Sequence, residues 1–218
     1  MIPFAVIFDM DGVMVDTNAF HKKSIGQFIK KYGFELTDEQ LRTSVYGRTN
    51  TDWITNLFGT LTPEQLKKYA DEKEQLFRDM YEPFITPVKG LEEFLEKLVT
   101  NNIPRAIATS APPENVDFVL HHTGLRKYFE IILDEREVTH GKPHPEIYLK
   151  TAKALGLPNE QCIVIEDSLS GVTAGRKAGS KVIGVTTTHS PEELTEANFI
   201  IRNFDELRLS DLHQLLRK

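Results

Sequence analysis

Two aspartates stand two positions apart at the end of the first apolar run of the sequence. The run at residues 4–8 is followed by Asp9, Asp11 and then Gly12. If the backbone turns between the two aspartates, both carboxylates can face one ligand, and Gly12 permits such a turn. Paired carboxylates repel one another, and a bound divalent cation such as Mg²⁺ removes that cost. The pattern indicates a metal site, although two loop aspartates that cap a helix would look the same.

Three later segments carry polar side chains that could complete such a site. Thr109 and Ser110 end another apolar run, where hydroxyls and backbone N–H groups can hold a phosphate oxygen or cap a helix. Lys142 is flanked by a glycine and two nearby prolines, which favours a positioned lysine over a solvated one. Glu166 and Asp167 end a further apolar run, where they could bind the metal or cap the following helix.

The elements that must position these residues are short apolar runs. The runs are continuous rather than alternating, which is typical of strands buried on both faces of a parallel sheet. Helical patterns separate them from about residue 85 onward, and this alternation predicts a doubly wound parallel α/β sheet. Ligands in an open α/β sheet bind beyond the carboxyl ends of the strands, where all the candidate residues lie. The predicted strands are 4–8, 106–108, 131–133, 163–165, 182–185 and 199–201.

The stretch between the first strand and the rest of the sheet breaks this alternation. It shows helical periodicity, with helices predicted at 18–32, 37–44 and 62–81, and no convincing strand. The simplest architecture is a small α-helical cap domain at 16–86, inserted into a core domain made of residues 1–15 and 87–218.

Composition and charge exclude several classes of protein. With 40% hydrophobic and 27% charged residues, the chain is neither disordered nor collagen-like. Its net charge of −6 lacks the positive field that binds nucleic-acid polymers or acidic membranes. Cys162 is the only cysteine and opens an apolar run, so we interpret it as a small core residue. The first apolar run is too short for a signal peptide or a membrane span. We expect a cytoplasmic monomer.

The joint order of these motifs resembles the haloacid dehalogenase (HAD) superfamily, in particular its β-phosphoglucomutase-like and phosphatase branch with a helical cap. The matching segments are F-D-M-D-G-V at 8–13, followed by Asp16, Thr17 and His21, then K-P-x-P-E-I-Y at 142–148, and E-D-S-x-x-G-V-x-A-G-x-x-A-G at 166–179. The resemblance implies a Rossmann-like core and a phosphotransfer enzyme. A dehalogenase is disfavoured, because the second aspartate marks the phosphotransfer members.

The resemblance also implies roles for the two aspartates of the first motif. Asp9 would be the nucleophile that forms an aspartyl-phosphate, and Asp11 the general acid and base. Mg²⁺ would be held by an oxygen of Asp9, the backbone carbonyl of Asp11 and Asp167, with Glu166 assisting directly or through water.

The remaining core residues would contact the phosphoryl group. Thr109 would bind the transferring group, with Ser110 beside it in the substrate site. Lys142 would neutralise the charge of that group and of Asp9.

Three residues of the predicted cap could contact substrate. Arg48 lies in a loop that resembles a substrate loop and could bind a second anionic group, or it could be a surface arginine. Lys73 aligns with a cap lysine of this branch, but a solvated helical charge run would also explain it. His21 matches a histidine near the first hinge, where it could equally be a packing residue.

These residues leave three activities open. The first is a phosphatase that hydrolyses a small phosphorylated metabolite such as a sugar phosphate. The second is a β-phosphoglucomutase, from which the sequence departs at two places. Where the mutase has a polar Ser-Lys-Asn stretch, this chain has A-P-P-E-N at 111–115. The cap arginine of the mutase aligns with Asn50, whereas the arginine of this chain is two residues earlier, at Arg48. The third is a non-catalytic phosphate-binding module, which predicts damage to the motifs, yet Asp9, Asp11 and Lys142 are all present.

Overall fold

The structure, a computed structural model, describes residues 3–217. The chain forms two compact units. One consists of the segment that ends at Asp16 together with the segment that begins at Ile85, and the other is Thr17–Phe84. The boundaries expected from the sequence, after residues 15 and 86, differ from these by one and two residues.

The second unit is entirely helical within its regular elements, and three of its four α-helices begin at a capping threonine. The hydroxyls of Thr37, Thr49 and Thr62 accept backbone N–H groups at the starts of three helices, which satisfies donors that have no partner inside the helix. The helix after Thr49 was not predicted from the sequence. The four helices are α1 (Asn18–Lys31), α2 (Asp38–Ser44), α3 (Asn50–Phe58) and α4 (Pro63–Tyr81).

The core of this helical unit is aromatic. Phe28 meets Trp53 edge to face with ring centroids 5.6 Å apart, and Phe58 stacks on Tyr69 at 4.6 Å. Each large side chain that leaves water contributes about 1.5–3 kcal/mol, which stabilises a unit of this small size.

The first unit is built on a six-stranded parallel sheet in the order β3-β2-β1-β4-β5-β6. This order winds outward in both directions from the central pair β1 and β4, so the prediction of a doubly wound α/β sheet is confirmed. The strands are β1 (Ala5–Phe8), β2 (Arg105–Ala108), β3 (Ile131–Leu133), β4 (Cys162–Glu166), β5 (Lys181–Val185) and β6 (Phe199–Ile201).

Helices of this unit lie between successive strands, and a last helix follows β6. The helices between strands are α5 (Leu91–Thr100), α6 (Pro113–Thr123), α7 (Glu146–Ala154) and α8 (Leu169–Lys177), and the last helix is α9 (Leu209–Leu215). Among the described residues of the whole chain, no helix combines the length and the apolar character needed to cross a membrane.

Both faces of the sheet are covered, which explains why its strands are continuous apolar runs. Ile7 packs in one apolar layer with Tyr148 of α7. Its neighbour Phe8 points to the opposite face, where its ring lies 6.3 Å from Phe94 and 6.2 Å from Phe204. Successive side chains of a strand alternate between faces, so both must be apolar here.

Candidate active site

The two central strands bring the first and last acidic motifs together. β1 and β4 pair in parallel with Phe8 opposite Ile165, and the backbone N–H of Asp9 donates to the carbonyl oxygen of Ile165 at 3.0 Å. Asp9 and Asp167 therefore leave adjacent strands at the same edge of the sheet. This is the position where the winding of the sheet changes direction and a crevice forms.

A tight turn follows β1 and depends on Gly12. The N–H of Gly12 donates to the carbonyl of Val15 at 2.7 Å, and Gly12 has a φ of 76°, which an L side chain rarely adopts. A Cβ at this position would lie 1.9 Å from Oδ2 of Asp167. The glycine is thus needed both for the turn after Asp11 and for the close approach of the Asp167 carboxylate.

Lys142 connects three strand ends from the loop before α7. Its Nζ donates to Asp9 Oδ1 at 2.6 Å, to Glu166 Oε1 at 2.6 Å and to the carbonyl oxygen of Ala108 at 3.3 Å. Each of the three ammonium hydrogens has an acceptor, and the side chain is only 6% exposed. The lysine is therefore held in one position beside the Asp9 carboxylate.

Glu166 is surrounded by donors from the protein itself. Its Oε1 accepts Lys142 and the hydroxyl of Tyr148 at 2.8 Å. Its Oε2 accepts the hydroxyl of Ser168 at 3.0 Å and the backbone N–H groups of the next two residues at 3.0 and 3.1 Å. Gly171 makes room, because a Cβ there would lie 1.7 Å from Oε1. With about four lone-pair sites on a carboxylate, these donors use the capacity of Glu166, which favours a role in holding Lys142.

The carboxylates carry more negative charge than Lys142 compensates. Burial raises the pKa of Asp9 well above its usual range, and the nearby Glu166 and Asp167 add to the rise against the opposing effect of Lys142. Burial, together with Glu166, also raises the pKa of Asp167 to about 7. Burial would raise the pKa of Glu166 too, but Lys142 outweighs it and the pKa falls. For Lys142, Asp9 and Glu166 outweigh burial and raise the pKa well above its usual range.

These residues fit a divalent cation. Asp9, Glu166 and Asp167 are buried, and one carboxylate oxygen from each lies within 4.8 Å of the others. Because protein donors already use the capacity of Glu166, Asp9 and Asp167 are the two carboxylates of this group that fit a cation directly. An all-oxygen set of this kind suits a hard cation such as Mg²⁺, which would also relieve the repulsion that adds to the effect of burial on the pKa of Asp9.

The polar end of β2 lies next to Lys142. Thr109 follows Ala108, whose carbonyl accepts from the lysine, and Thr109 is buried whereas Ser110 is exposed. The Thr109 hydroxyl accepts the backbone N–H of Ala111 at 3.1 Å. A hydroxyl that accepts in this way keeps its hydrogen for another partner, and a phosphoryl oxygen would be a suitable one.

Sequence reasoning missed two hydroxyl residues of the site. Tyr148 was assigned only to the apolar face of α7 and to a motif, yet its hydroxyl binds Glu166 and its ring lies 5.0 Å from Lys142 Nζ. Thr188 donates to Oδ2 of Asp167. The signal for Thr188 was present, because three threonines at 186–188 directly follow β5, the strand beside β4.

In the helical unit, Lys73 lies in a buried cluster. Its Nζ contacts Glu74 Oε1 at 2.7 Å and His21 Nδ1 at 3.1 Å, and the His21 ring stacks on Phe77 with centroids 3.8 Å apart. The alternative that Lys73 belongs to a solvated charge run is wrong, because its side chain is 4% exposed. Contact of His21 and Lys73 with substrate stays a prediction.

Arg48 and Asn50 each form hydrogen bonds with other residues of the helical unit. The guanidinium of Arg48 is exposed and donates to the carbonyl of Thr43 at 2.9 Å. Asn50 donates from its amide to Glu74 at 2.7 Å and accepts the indole N–H of Trp53 at 3.0 Å. The Asn50 side chain is therefore used in the interior of the unit.

Several known proteins with similar sequences are named as phosphatases. The family model described as haloacid dehalogenase-like hydrolase matches residues 6–185. The phosphorylated carbohydrates phosphatase of Thermotoga maritima is 32% identical, over 97% of this chain and 99% of that protein. A chloroplastic 5-amino-6-(5-phospho-D-ribitylamino)uracil phosphatase of Arabidopsis thaliana is 28% identical over 96% of this chain. This chain spans 57% of the length of that plant protein.

Solved structures share the whole architecture. A HAD hydrolase of family IA, variant 3, from Entamoeba histolytica superposes with a TM-score of 0.91 at 32% identity, covering 99% of this chain and 100% of that one. A β-phosphoglucomutase from Clostridium difficile superposes with a TM-score of 0.84 at 26% identity, covering 99% and 98%. The chain therefore belongs to the haloacid dehalogenase-like hydrolases, as its motifs predict.

Proposed function

We propose that the protein is a Mg²⁺-dependent phosphatase of a small phosphorylated metabolite, such as a sugar phosphate, and that it acts through an aspartyl-phosphate on Asp9. One observation carries the proposal. Asp9 follows the central strand β1, and its buried carboxylate lies 2.6 Å from Lys142 Nζ. Asp167 follows the adjacent strand β4. Relatives named as phosphatases of phosphorylated carbohydrates and of fructose-1-phosphate support this class of substrate.

The reaction has two displacements at phosphorus. A carboxylate oxygen of Asp9 attacks, its bond to phosphorus forms as the bond to the substrate oxygen breaks, and Asp11 gives that leaving oxygen a proton. Water then gives a proton back to Asp11 and attacks the same phosphorus. The bond to Asp9 breaks, inorganic phosphate leaves, and both aspartates return to their starting states.

Positive charge and hydrogen-bond donors support both displacements. The Lys142 ammonium opposes the effect of burial on the pKa of Asp9 and offsets charge on the transferring group, and the Thr109 hydroxyl donates to a phosphoryl oxygen. Loss of one group of this kind costs roughly 10²–10³ in rate. Asp9, Asp167 and the backbone carbonyl of Asp11 would hold Mg²⁺. When bound, Mg²⁺ adds positive charge against the phosphoryl oxygens.

The helical unit is proposed to be the cap that selects the substrate. In this unit, the exposed Arg48 is the candidate residue for binding a second anionic group of the substrate. In the core, the exposed Ser110 is the candidate substrate-binding residue beside Thr109. Replacing Arg48 by alanine is expected to raise KM for substrates with two anionic groups and to leave kcat little changed.

Two departures speak against the mutase alternative. A mutase must bind a second phosphate while its bisphosphate intermediate reorients, and the position aligned with its cap arginine is Asn50, which binds Glu74 and Trp53 instead. After Thr109 and Ser110 the chain continues with two prolines that open α6. The non-catalytic alternative is disfavoured, because Asp9 and Lys142 are in contact and Asp11 and Asp167 are also present.

A screen of phosphorylated metabolites tests the proposal. Each compound is incubated with Mg²⁺, and both inorganic phosphate and sugar-phosphate isomers are quantified, with Asp9→Asn and a chelator as controls. The phosphatase predicts phosphate release that both controls abolish. Isomer formation that depends on added sugar bisphosphate would favour the mutase, and no turnover of any compound would favour the binding module. The cytoplasmic location and the monomeric state stay predictions.

A further inference from the structure

The loop before α7 and the first residue of α7 carry a second group of side chains of the metal-binding types, apart from the carboxylates at the strand ends. One donor atom from each of His140, His144 and Glu146 lies within 4.8 Å of the other two. Both histidines are exposed, so a cation can reach them from solvent. We propose that these three residues bind a transition-metal cation of the Zn²⁺ type.

Two of the donor atoms already stand at the separation that a tetrahedral site requires. Nδ1 of His140 lies 3.2 Å from Oε2 of Glu146. With metal–nitrogen and metal–oxygen bonds of about 2.0–2.1 Å, the edge of a tetrahedron is about 3.3 Å. The rings of His140 and His144 have centroids 4.7 Å apart, so the two imidazoles are neighbours. A rotation of the exposed His144 side chain, which gives up the 3.3 Å hydrogen bond from the Glu146 N–H to His144 Nδ1, would bring in the third ligand.

The carboxylate of this group is held in one position by several partners. Oε1 of Glu146 accepts the N–H of Thr139 at 3.1 Å and contacts Lys150 Nζ at 2.8 Å, while Oε2 accepts the N–H of His140 at 2.9 Å. A ligand that is already oriented by such contacts loses little entropy when a metal binds.

The donor set distinguishes this site from the active site. Two imidazoles and one carboxylate suit Zn²⁺, Ni²⁺ or Cu²⁺, whereas the carboxylates at the strand ends suit Mg²⁺. Lys142 lies between the two histidines in sequence. A bound cation would therefore tie both ends of the Lys142 segment to the first turn of α7.

Zn²⁺ binding to the full chain tests the proposal, measured by equilibrium dialysis in excess Mg²⁺. The variant is His140→Ala with His144→Ala, and the matched control is His121→Ala with His122→Ala. The control pair is also exposed, on α6, with ring centroids 5.2 Å apart. Zn²⁺ that displaces Mg²⁺ from the active site is counted equally in all three proteins.

We expect the wild type and the control to bind one more Zn²⁺ per chain than the variant. Zn²⁺ should also raise the Tm of the first two proteins further, because a cation that binds only the native state stabilises it. Equal stoichiometry and equal Tm shifts in all three proteins would overturn the proposal. If the double variant does not fold, as judged by circular dichroism, His144→Ala alone carries the same test, since it removes one exposed ring.

Discussion

Lys142 compensates buried negative charge, so its replacement by methionine should destabilise the protein strongly. The change keeps most of the length and apolar packing of the side chain but leaves Asp9 and Glu166 buried without the ammonium 2.6 Å from each. Removing one partner of a buried ion pair costs about 3–5 kcal/mol, because the charge that remains cannot regain its hydration. We expect a loss of that size in the free energy of unfolding, measured by urea denaturation with chelator present.

Lys89 offers a matched control in the same unit. Its Nζ lies 2.7 Å from Asp205 Oδ2, nearly the same distance, but the lysine side chain is 77% exposed against 6% for Lys142. Water screens an exposed pair and rehydrates the partner when the pair is broken, so Lys89→Met should change stability little. Comparing the stabilities of the two variants therefore separates the effect of burial from the effect of the distance between the charges.

A double-mutant cycle with Glu166→Gln separates charge from packing. If the cost of Lys142→Met comes from the uncompensated carboxylate, neutralising Glu166 as well should recover part of it, with a coupling energy of about 0.5–3 kcal/mol. Additive losses, or equal losses for Lys142→Met and Lys89→Met, would refute the reasoning.

Gly12→Ala should lower the affinity for Mg²⁺ measured by calorimetry, because the added Cβ displaces the Asp167 carboxylate. The control Gly26→Ala, where nothing lies within 4 Å of the added Cβ, should bind Mg²⁺ like the wild type. Equal Mg²⁺ affinities of the two variants would contradict this reasoning. Burial alone would raise the pKa of Glu74, but Lys73 and other partners hold it at about 2. Folding stability should therefore fall by about 3 kcal/mol between pH 4.5 and pH 2, and Glu74→Gln should flatten that part of the profile. Burial raises the pKa of the Cys162 thiol to about 11, so iodoacetamide at pH 8 should label it only after denaturation, and labelling of the native protein would contradict its placement.

Apolar character was enough to find the strands but not their ends. The central three residues of β4 are apolar, and the run predicted 163–165. The strand continues to Glu166, whose backbone pairs opposite Gly184 although its side chain is charged. Lys142 and Tyr148 make that burial tolerable, and neither contact can be read from the local sequence.

In the helical unit, a run of charged residues suggested an exposed position for a lysine that is buried. Lys73 stands in the run D-E-K-E, which resembles a solvated helix face. The positions four and eight residues later are Phe77 and Tyr81, both buried, so Lys73 shares the inner face of α4. Helical periodicity measured from the aromatic residues would have placed it there. The partner Glu74 next to it offsets the cost of the buried charge.

The convergence of the site residues followed from topology rather than from any single motif. Placing Asp9, Thr109 and Asp167 at strand ends required only that the strands be parallel and adjacent. The hydroxyls of Tyr148 and Thr188 could not be assigned in this way, because their roles depend on which side chain they reach.

The most direct test of the account is the covalent intermediate on Asp9. The protein is mixed with Mg²⁺ and p-nitrophenyl phosphate, whose leaving group needs no proton, and is quenched in acid and analysed by peptide mass spectrometry. Asp11→Asn should slow hydrolysis of the intermediate and increase its yield. We predict one phosphoryl group on the peptide that contains Asp9, and none in Asp9→Asn. Turnover of substrate with no phosphoryl group on this peptide, or undiminished turnover by Asp9→Asn, would contradict the account.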